Sequence, residues 1–175
     1  MSAEKIINTG EVRIKILLLN KSHVTKKYLT WLNDPKIIHF TSLKKDFFTI
    51  DSLKKFVLEK SKSKHEFVYG IFLNNNHIGN CKLGPINFKK KYTQISYFIG
   101  EKKHWNKGIA TLVIKKLCKK AKNKNLKVVY AGSNIKNYSS IKVLNKNNFK
   151  ITKAITDFAL DRGSKLFRKN LISKS

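Results

Sequence analysis

The sequence predicts an α+β domain built on a mixed, largely antiparallel sheet, and three observations lead there. Apolar runs of strand period alternate along the chain with runs at helical spacing. Two turns, Asn74-Asn75-Asn76 and Asp161-Arg162-Gly163, carry hairpin chemistry between strand-like segments. A strand at 92–99, a helix from Gly108 and a further strand at 126–131 follow one another, the order that lays two strands parallel. About seven strands flanked by about four helices are expected. The 175 residues suffice for a single domain with its own core, residues 1–10 being a short polar lead-in.

In chain order, Val12, Ile14, Ile16 and Leu18 share one face of a strand over 11–19. Ser22 is placed to cap a helix through Val24, Tyr28, Leu29, Trp31 and Leu32, which stops at Asn33-Asp34-Pro35. Pro35 suits the first turn of a second short helix over 36–40, with Asp34 as its cap. After a loop at 41–48, Thr49 or Asp51 caps a helix carrying Leu53, Phe56, Val57 and Lys60. Strands at 66–73 and 77–86 form the first hairpin, and 87–91 turns into the central strand at 92–99. Gly100 ends that strand. Ile109, Val113, Ile114, Leu117, Cys118 and Ala121 then mark a helix ending near 123–125. Gly132-Ser133-Asn134 separates the strand at 126–131 from a helix over 137–146, and strands at 149–158 and 165–172 finish the chain.

Hydrophobic residues make up 41% and aromatic residues 11%, enough for a packed interior. Lys+Arg number 38 against 10 Asp+Glu, a formal net charge of +28. Such an excess would ordinarily suggest a nucleic-acid partner. Arg13, Arg162 and Arg168 are the only arginines, however, and lysine lacks the bidentate fork that phosphate and base recognition favours. No aromatic and basic residues interleave in the manner of a single-strand-binding surface. Abundant lysine, asparagine and isoleucine together fit codon bias in an AT-rich genome, so nucleic acid is not the expected partner. Cys81 and Cys118 lie in apolar patterns and read as buried thiols, with no metal site expected. The longest aliphatic run, 16–19, is far short of the roughly 20 residues that cross a bilayer. Neither a membrane span nor a secretory leader is evident, and a cytoplasmic location is expected.

The loop between the central strand and the helix at Gly108 carries the chemistry. A helix N-terminus presents backbone N–H groups without intrahelical partners and about half a positive charge, so an anion is its natural partner. Gly108 and Ala110 keep the loop face small, and Lys102, Lys103 and Lys107 add charge. Neither a P-loop nor a GxGxxG dinucleotide fingerprint is present.

Trp105-Asn106-Lys107-Gly108-Ile109-Ala110 resembles the coenzyme A loop, Q/R-x-x-G-x-G/A, of the GNAT superfamily of N-acetyltransferases. Its form is close to the W-G-x-G-Y-A variant of the branch holding ribosomal-protein and amino-sugar acetyltransferases, with Asn106 where that branch has glycine. Asparagine is the non-glycine residue best suited to a left-handed backbone. The run from Asn134 to Phe149 resembles the second signature, N-x-x-N-x-x-S-I-x-V-L-x-K-x-G-F, at the right distance from the first. Trp31-Leu32-Asn33-Asp34-Pro35 and the run from His77 to Ile86 resemble one subgroup of the same family.

That resemblance implies acetyl-CoA as co-substrate. It implies a splayed central strand pair whose gap holds the pantetheine arm, with Phe98 and Ile99 beside it. Trp105, Asn106, Lys107, Gly108, Ile109 and Ala110 would hold the pyrophosphate through their N–H groups. Asn134, Asn137 and Ser140 would line the thiol end, although Asn134 and Asn137 equally suit loop caps.

Acetyl transfer to an amine needs a neutral amine, aligned reactants and a stabilised leaving thiolate. Of the ten acidic residues, Asp34, Asp46, Glu66 and Glu101 remain as candidate bases after those on early, helix-surface or last-turn positions are set aside. Asp34 and Glu101 adjoin the presumed cleft. Tyr138 or Ser140 could protonate or hydrogen-bond the leaving sulfur. His39 could contact the acceptor or be a surface residue. Many relatives carry glutamate where Gln94 stands and tyrosine where Leu144 stands, so neither usual acid-base group is present.

A lysine side chain, with a pKa of about 10.4, is almost wholly protonated at neutral pH, whereas an α-amino group near about 8 is partly neutral. A low-pKa acceptor is therefore expected. An amino sugar or nucleotide-linked amino sugar leads, and a protein N-terminus is the alternative. A lysine-rich nucleic-acid-binding module is the rival of another class. Subunit number is open, a homodimer being compatible with the chain.

Overall fold

The computed structural model describes residues 13–41, 48–154, 156–158 and 160–171. The lead-in 1–10, Val12, Asp46 and Ile172, each of which carried an expectation, lie outside the described residues. Among these residues five α-helices and seven strands occur in the order β1 (Ile14–Leu18), α1 (Lys26–Leu32), α2 (Pro35–Ile38), α3 (Ile50–Ser61), β2 (Phe67–Leu73), β3 (Asn76–Asn87), β4 (Tyr92–Ile99), α4 (Ile109–Asn123), β5 (Val128–Asn134), α5 (Tyr138–Lys146), β6 (Lys150–Thr152) and β7 (Ser164–Asn170). The strands form one sheet in the order β1-β2-β3-β4-β5-β7-β6. β4 and β5 are parallel, joined through α4 as the sequence implied, and the other neighbours are antiparallel.

The two sheet faces divide the helices. α4 and α5 pack on one face, where Val113, Ile114 and Leu117 of α4 and Leu144 of α5 meet Ile71, Leu83, Ile95 and Val129 of the sheet. α1 to α3 pack on the other, where Tyr28, Trp31, Leu53 and Val57 meet Phe98 and Val68. The face under α4 is largely apolar, whereas the opposite face of the central strands is apolar only where α1 to α3 cover it and carries Lys82, Gln94 and Ser96 elsewhere.

Local chemistry sets most boundaries. The Asp34 carboxylate accepts from the Lys36 N–H at 2.9 Å, with Pro35 in the first turn of α2. The Thr49 hydroxyl caps α3 and Asn74-Asn75 turn the β2–β3 hairpin at φ 48° and 66°. Five of the six non-glycine residues at positive φ are asparagines, which here do the work of glycine. Asn125 and Asn148 end α4 and α5: the N–H of Leu126 reaches the Ala121 carbonyl and that of Phe149 reaches the Leu144 carbonyl, the six-to-one closure of a Schellman motif. Asn148 thus fills the glycine position of the second signature.

Three expectations need correction. Ser22 does not cap α1; Asn20 to His23 form a separate capped turn and Thr25 caps α1 at Tyr28. β5 begins two residues later than expected and runs through Gly132-Ser133-Asn134, because β7 pairs with it up to Asn134↔Ser164. β6 stops at Thr152 rather than near 158, since Ala154 and Phe158 leave the strand line to cover Tyr92, Tyr130 and Leu166. An aromatic residue gains more from that burial than from continuing an edge strand. No described helix is long and apolar enough to cross a membrane.

Candidate active site

The seam between β4 and β5 closes over three residue pairs, Tyr92↔Val128, Thr93↔Val129 and Gln94↔Tyr130, and pairs no further. Beyond Gln94, β4 stays paired with β3 up to Gly79↔Ile99, and β5 stays paired with β7. Among the described strands only the central seam therefore opens. The Gly100 N–H donates to the Ile78 carbonyl at 2.8 Å on the β3 side. By the alternation of an antiparallel ladder, the main-chain groups of Tyr97 and Ile99 point the other way, into the opening. The Ile99 carbonyl is already taken, accepting from Trp105 Nε1–H at 2.8 Å. Trp105 thereby anchors the loop that follows β4 to the end of the strand.

That loop places α4. Trp105 also spends its own N–H on the Lys102 carbonyl at 3.0 Å, which removes it from the expected set of anion-binding amides. Asn106 then adopts φ 60° and Gly108 φ 76°, the left-handed conformation its residue type favours. The N–H groups of Asn106, Lys107, Gly108, Ile109 and Ala110 find no acceptor among the described residues. Gly108 is the N-cap of a 15-residue helix and provides no side-chain cap. A Cβ built on it would meet nothing within 4 Å. Lys107 is exposed and makes no ion pair among the described residues, whereas Lys102 pairs with Asp34 at 2.5 Å and Lys103 lies 4.0 Å from Glu101. Burial and then the neighbouring Lys103 and Lys107 lower the proton affinity of His104. An uncapped helix start, an open face at Gly108 and a free lysine fit a diphosphate group.

The far side of the opening is formed by the β5–α5 junction. Asn134 Oδ1 accepts from the Lys136 N–H at 2.9 Å and Asn137 Oδ1 accepts from the Ser140 N–H at 3.1 Å. Both oxygens are thus used as caps. Tyr97 of β4 packs against the core on the α5 side, and burial raises its pKa, an effect that nearby Ser140 partly offsets. Tyr138 is 78% exposed at the start of α5. The nearness of Tyr97 to Ser140 depends on how α5 sits on the sheet and leaves no mark on local periodicity.

The acidic candidates are engaged. Asp34 is a helix cap whose pKa is lowered, first by its Lys102 hydrogen bond. Glu101 accepts from Trp31 Nε1–H at 3.2 Å and faces Lys27 at 3.2 Å. Glu66 is hydrogen-bonded by both Lys60 and Lys82. Gln94 sits at the last closed pair of the seam, while Leu144 is 1% exposed in the core under α4. His39 is exposed beside Phe40. Trp31 is wedged over Gly100, where an added Cβ would lie 2.1 Å from the indole, and packs edge-on against His77 and Phe98. Among the described residues no group of histidine, cysteine, aspartate or glutamate side chains could hold a metal ion.

Comparison with solved structures finds the same architecture repeatedly. A domain from Methanocaldococcus jannaschii superposes with a TM-score of 0.74 at 20% identity, covering 91% of this chain and 99% of that one. An N-acetyltransferase from Staphylococcus aureus Mu50 gives 0.72 at 23%, with coverage of 91% and 99%. Spermidine N-acetyltransferase from Vibrio cholerae, solved with CoA and spermine, gives 0.75 at 16%, with coverage of 89% and 92%. At these identities the likeness is one of fold. The family model of the acetyltransferase (GNAT) domain matches residues 13–150, from the start of β1 to the first residue of β6. That span takes in the split seam and both junctions beside it, and the chain belongs to the GNAT acetyltransferases, enzymes that draw their acetyl group from acetyl-CoA.

Proposed function

We propose that this protein transfers acetyl directly to a primary amine of a small molecule, an amino sugar or a nucleotide-linked amino sugar. The observation that carries the reading is the meeting of an open β4–β5 seam with the five unpartnered amides from Asn106 to Ala110. Those amides and Lys107 would hold the diphosphate. The main chain of Tyr97 and the N–H of Ile99 would hold the arm. Acetyl-CoA, when bound, supplies the activated acetyl group as a thioester. Tyr97, kept protonated by burial, and Ser140 at the start of α5 are the hydroxyls that would serve proton donation toward the sulfur side.

The choice of acceptor follows from what the carboxylates are doing. With Asp34, Glu66 and Glu101 each ion-paired, and Gln94 in place of an acid, proton removal is left to solvent or to the amine itself. An amine of low pKa is already partly neutral at pH 7, which a lysine side chain is not. Ring amino groups of sugars meet that requirement. A protein N-terminus meets it too, and the exposed position of Ser96 in the middle of the central strand gives an extended chain a surface to lie on. On either reading the chain is one catalytic domain working in the cytoplasm.

Thermal unfolding with increasing acetyl-CoA should show a rising midpoint, since a native-state ligand stabilises by mass action. Thiol release from a panel of amines then ranks sugars against peptide N-termini. A midpoint indifferent to acetyl-CoA would remove the enzyme reading and favour a nucleic-acid-binding module.

A further inference from the structure

We propose, resting on the acetyltransferase reading above, that the acceptor is an anionic amine, one carrying a phosphate, and that Lys82 recognises its negative group. The face of β4 opposite α4 presents Gln94, Ser96 and Phe98. Phe98 is covered by Trp31 at one end, and Tyr92 is covered by Phe158 at the other. Between these covers Ser96 is exposed although it lies on a central strand, so the sheet itself is the floor of a groove. Lys82 stands opposite Ser96 in the β3–β4 register and shares its face, with its side chain 34% exposed. Leu160 closes the neighbouring side over Gly132, its Cδ2 2.9 Å from where a Cβ would stand.

The charges around this groove are one-sided. Glu66 answers two lysines, Lys60 and Lys82, and Glu101 answers two more, Lys27 and Lys103. Asp34 is matched by Lys102 and Asp157 by Lys90. Each of these four carboxylates already faces at least one lysine, and the whole chain adds a net +28. Whatever set the lysine content, a polycationic amine must approach against this field while a phosphate-bearing amine is drawn in by it. Lys82 is paired directly across from Ser96 on this face, and Glu66 retains Lys60 as a partner when Lys82 turns to a ligand.

The test uses thiol release at saturating acetyl-CoA with matched pairs of amines, such as glucosamine with glucosamine 6-phosphate, and spermidine beside them. Expected is a kcat/KM at least ~10-fold higher for the phosphorylated member of each pair, falling as salt rises, with spermidine slowest. K82M should narrow that ratio while the melting response to acetyl-CoA stays as in the parent. Equal rates within the pairs, no reaction with any pair, a lead for spermidine, or an unchanged ratio in K82M would each overturn the proposal. Loss of the melting response in the parent protein would overturn the acetyltransferase reading beneath it, which keeps the two failures apart.

Discussion

Replacing Gly108 is the sharpest probe of the anion-binding loop, because strain and ligand exclusion can be separated there. At φ 76° a β-branched side chain costs roughly 1–2 kcal/mol. For a chain of this length that lowers the melting midpoint by about 2–8 °C. The protein itself does not resist the added atoms, since a Cβ at this position meets nothing within 4 Å. Gly108→Val should therefore fold with reduced stability, and Gly108→Asn, which tolerates the left-handed conformation, should lose less. Both side chains project onto the face formed by the free amides. With acetyl-CoA at about a hundred times its Kd, the parent gains about 2.7 kcal/mol, a rise of about 5–11 °C. A variant bound about a hundredfold more weakly gains only ~0.4 kcal/mol at the same concentration, a rise of about 1 °C. Differential scanning fluorimetry of the three proteins with and without acetyl-CoA reads both effects. A full ligand response in Gly108→Asn would refute the loop assignment, whatever happened to its stability.

Other positions test the surrounding structure. Asp34→Asn keeps a competent helix cap and removes the ion pair to Lys102, so it should cost about 0–1 kcal/mol at pH 7. Because the folded pKa of Asp34 is lowered, that contribution is present above the ordinary carboxylate range and disappears as pH falls through the folded value. Melting curves of the two proteins should accordingly differ near neutrality and coincide in acid. Gly100→Ala drives a Cβ into the Trp31 indole and should cost about 1–3 kcal/mol or more by chemical denaturation, with the Trp31–Glu101 hydrogen bond disturbed. Leu144→Tyr would introduce the tyrosine that the family resemblance leads one to look for, yet Leu144 is fully packed in the core. The variant should be destabilised by about 1–3 kcal/mol, and a gain in turnover would contradict this placement.

The sequence by itself determined the features that depend on neighbours in the chain. Asn74-Asn75 gives its turn, Asp34-Pro35 starts its helix, and the apolar spacing from Ile109 to Ala121 buries one face of α4, because dihedral preference and periodicity act over a few residues. Asn106 was legible for the same reason: few residue types accept φ 60°. Tertiary structure decided which partner each polar group took. Trp105 could not be seen to occupy the Ile99 carbonyl until the loop and strand ends were placed, whereas the capping by Asn134 and Asn137 was one of two readings the sequence left open. Leu144 is sunk in the core and Tyr97 packs beside it, which only the placement of α5 on the sheet makes visible. Hydrogen-bond partners and burial are set by strand register between segments far apart in sequence, and the place where β4 and β5 stop pairing is a property of that register alone.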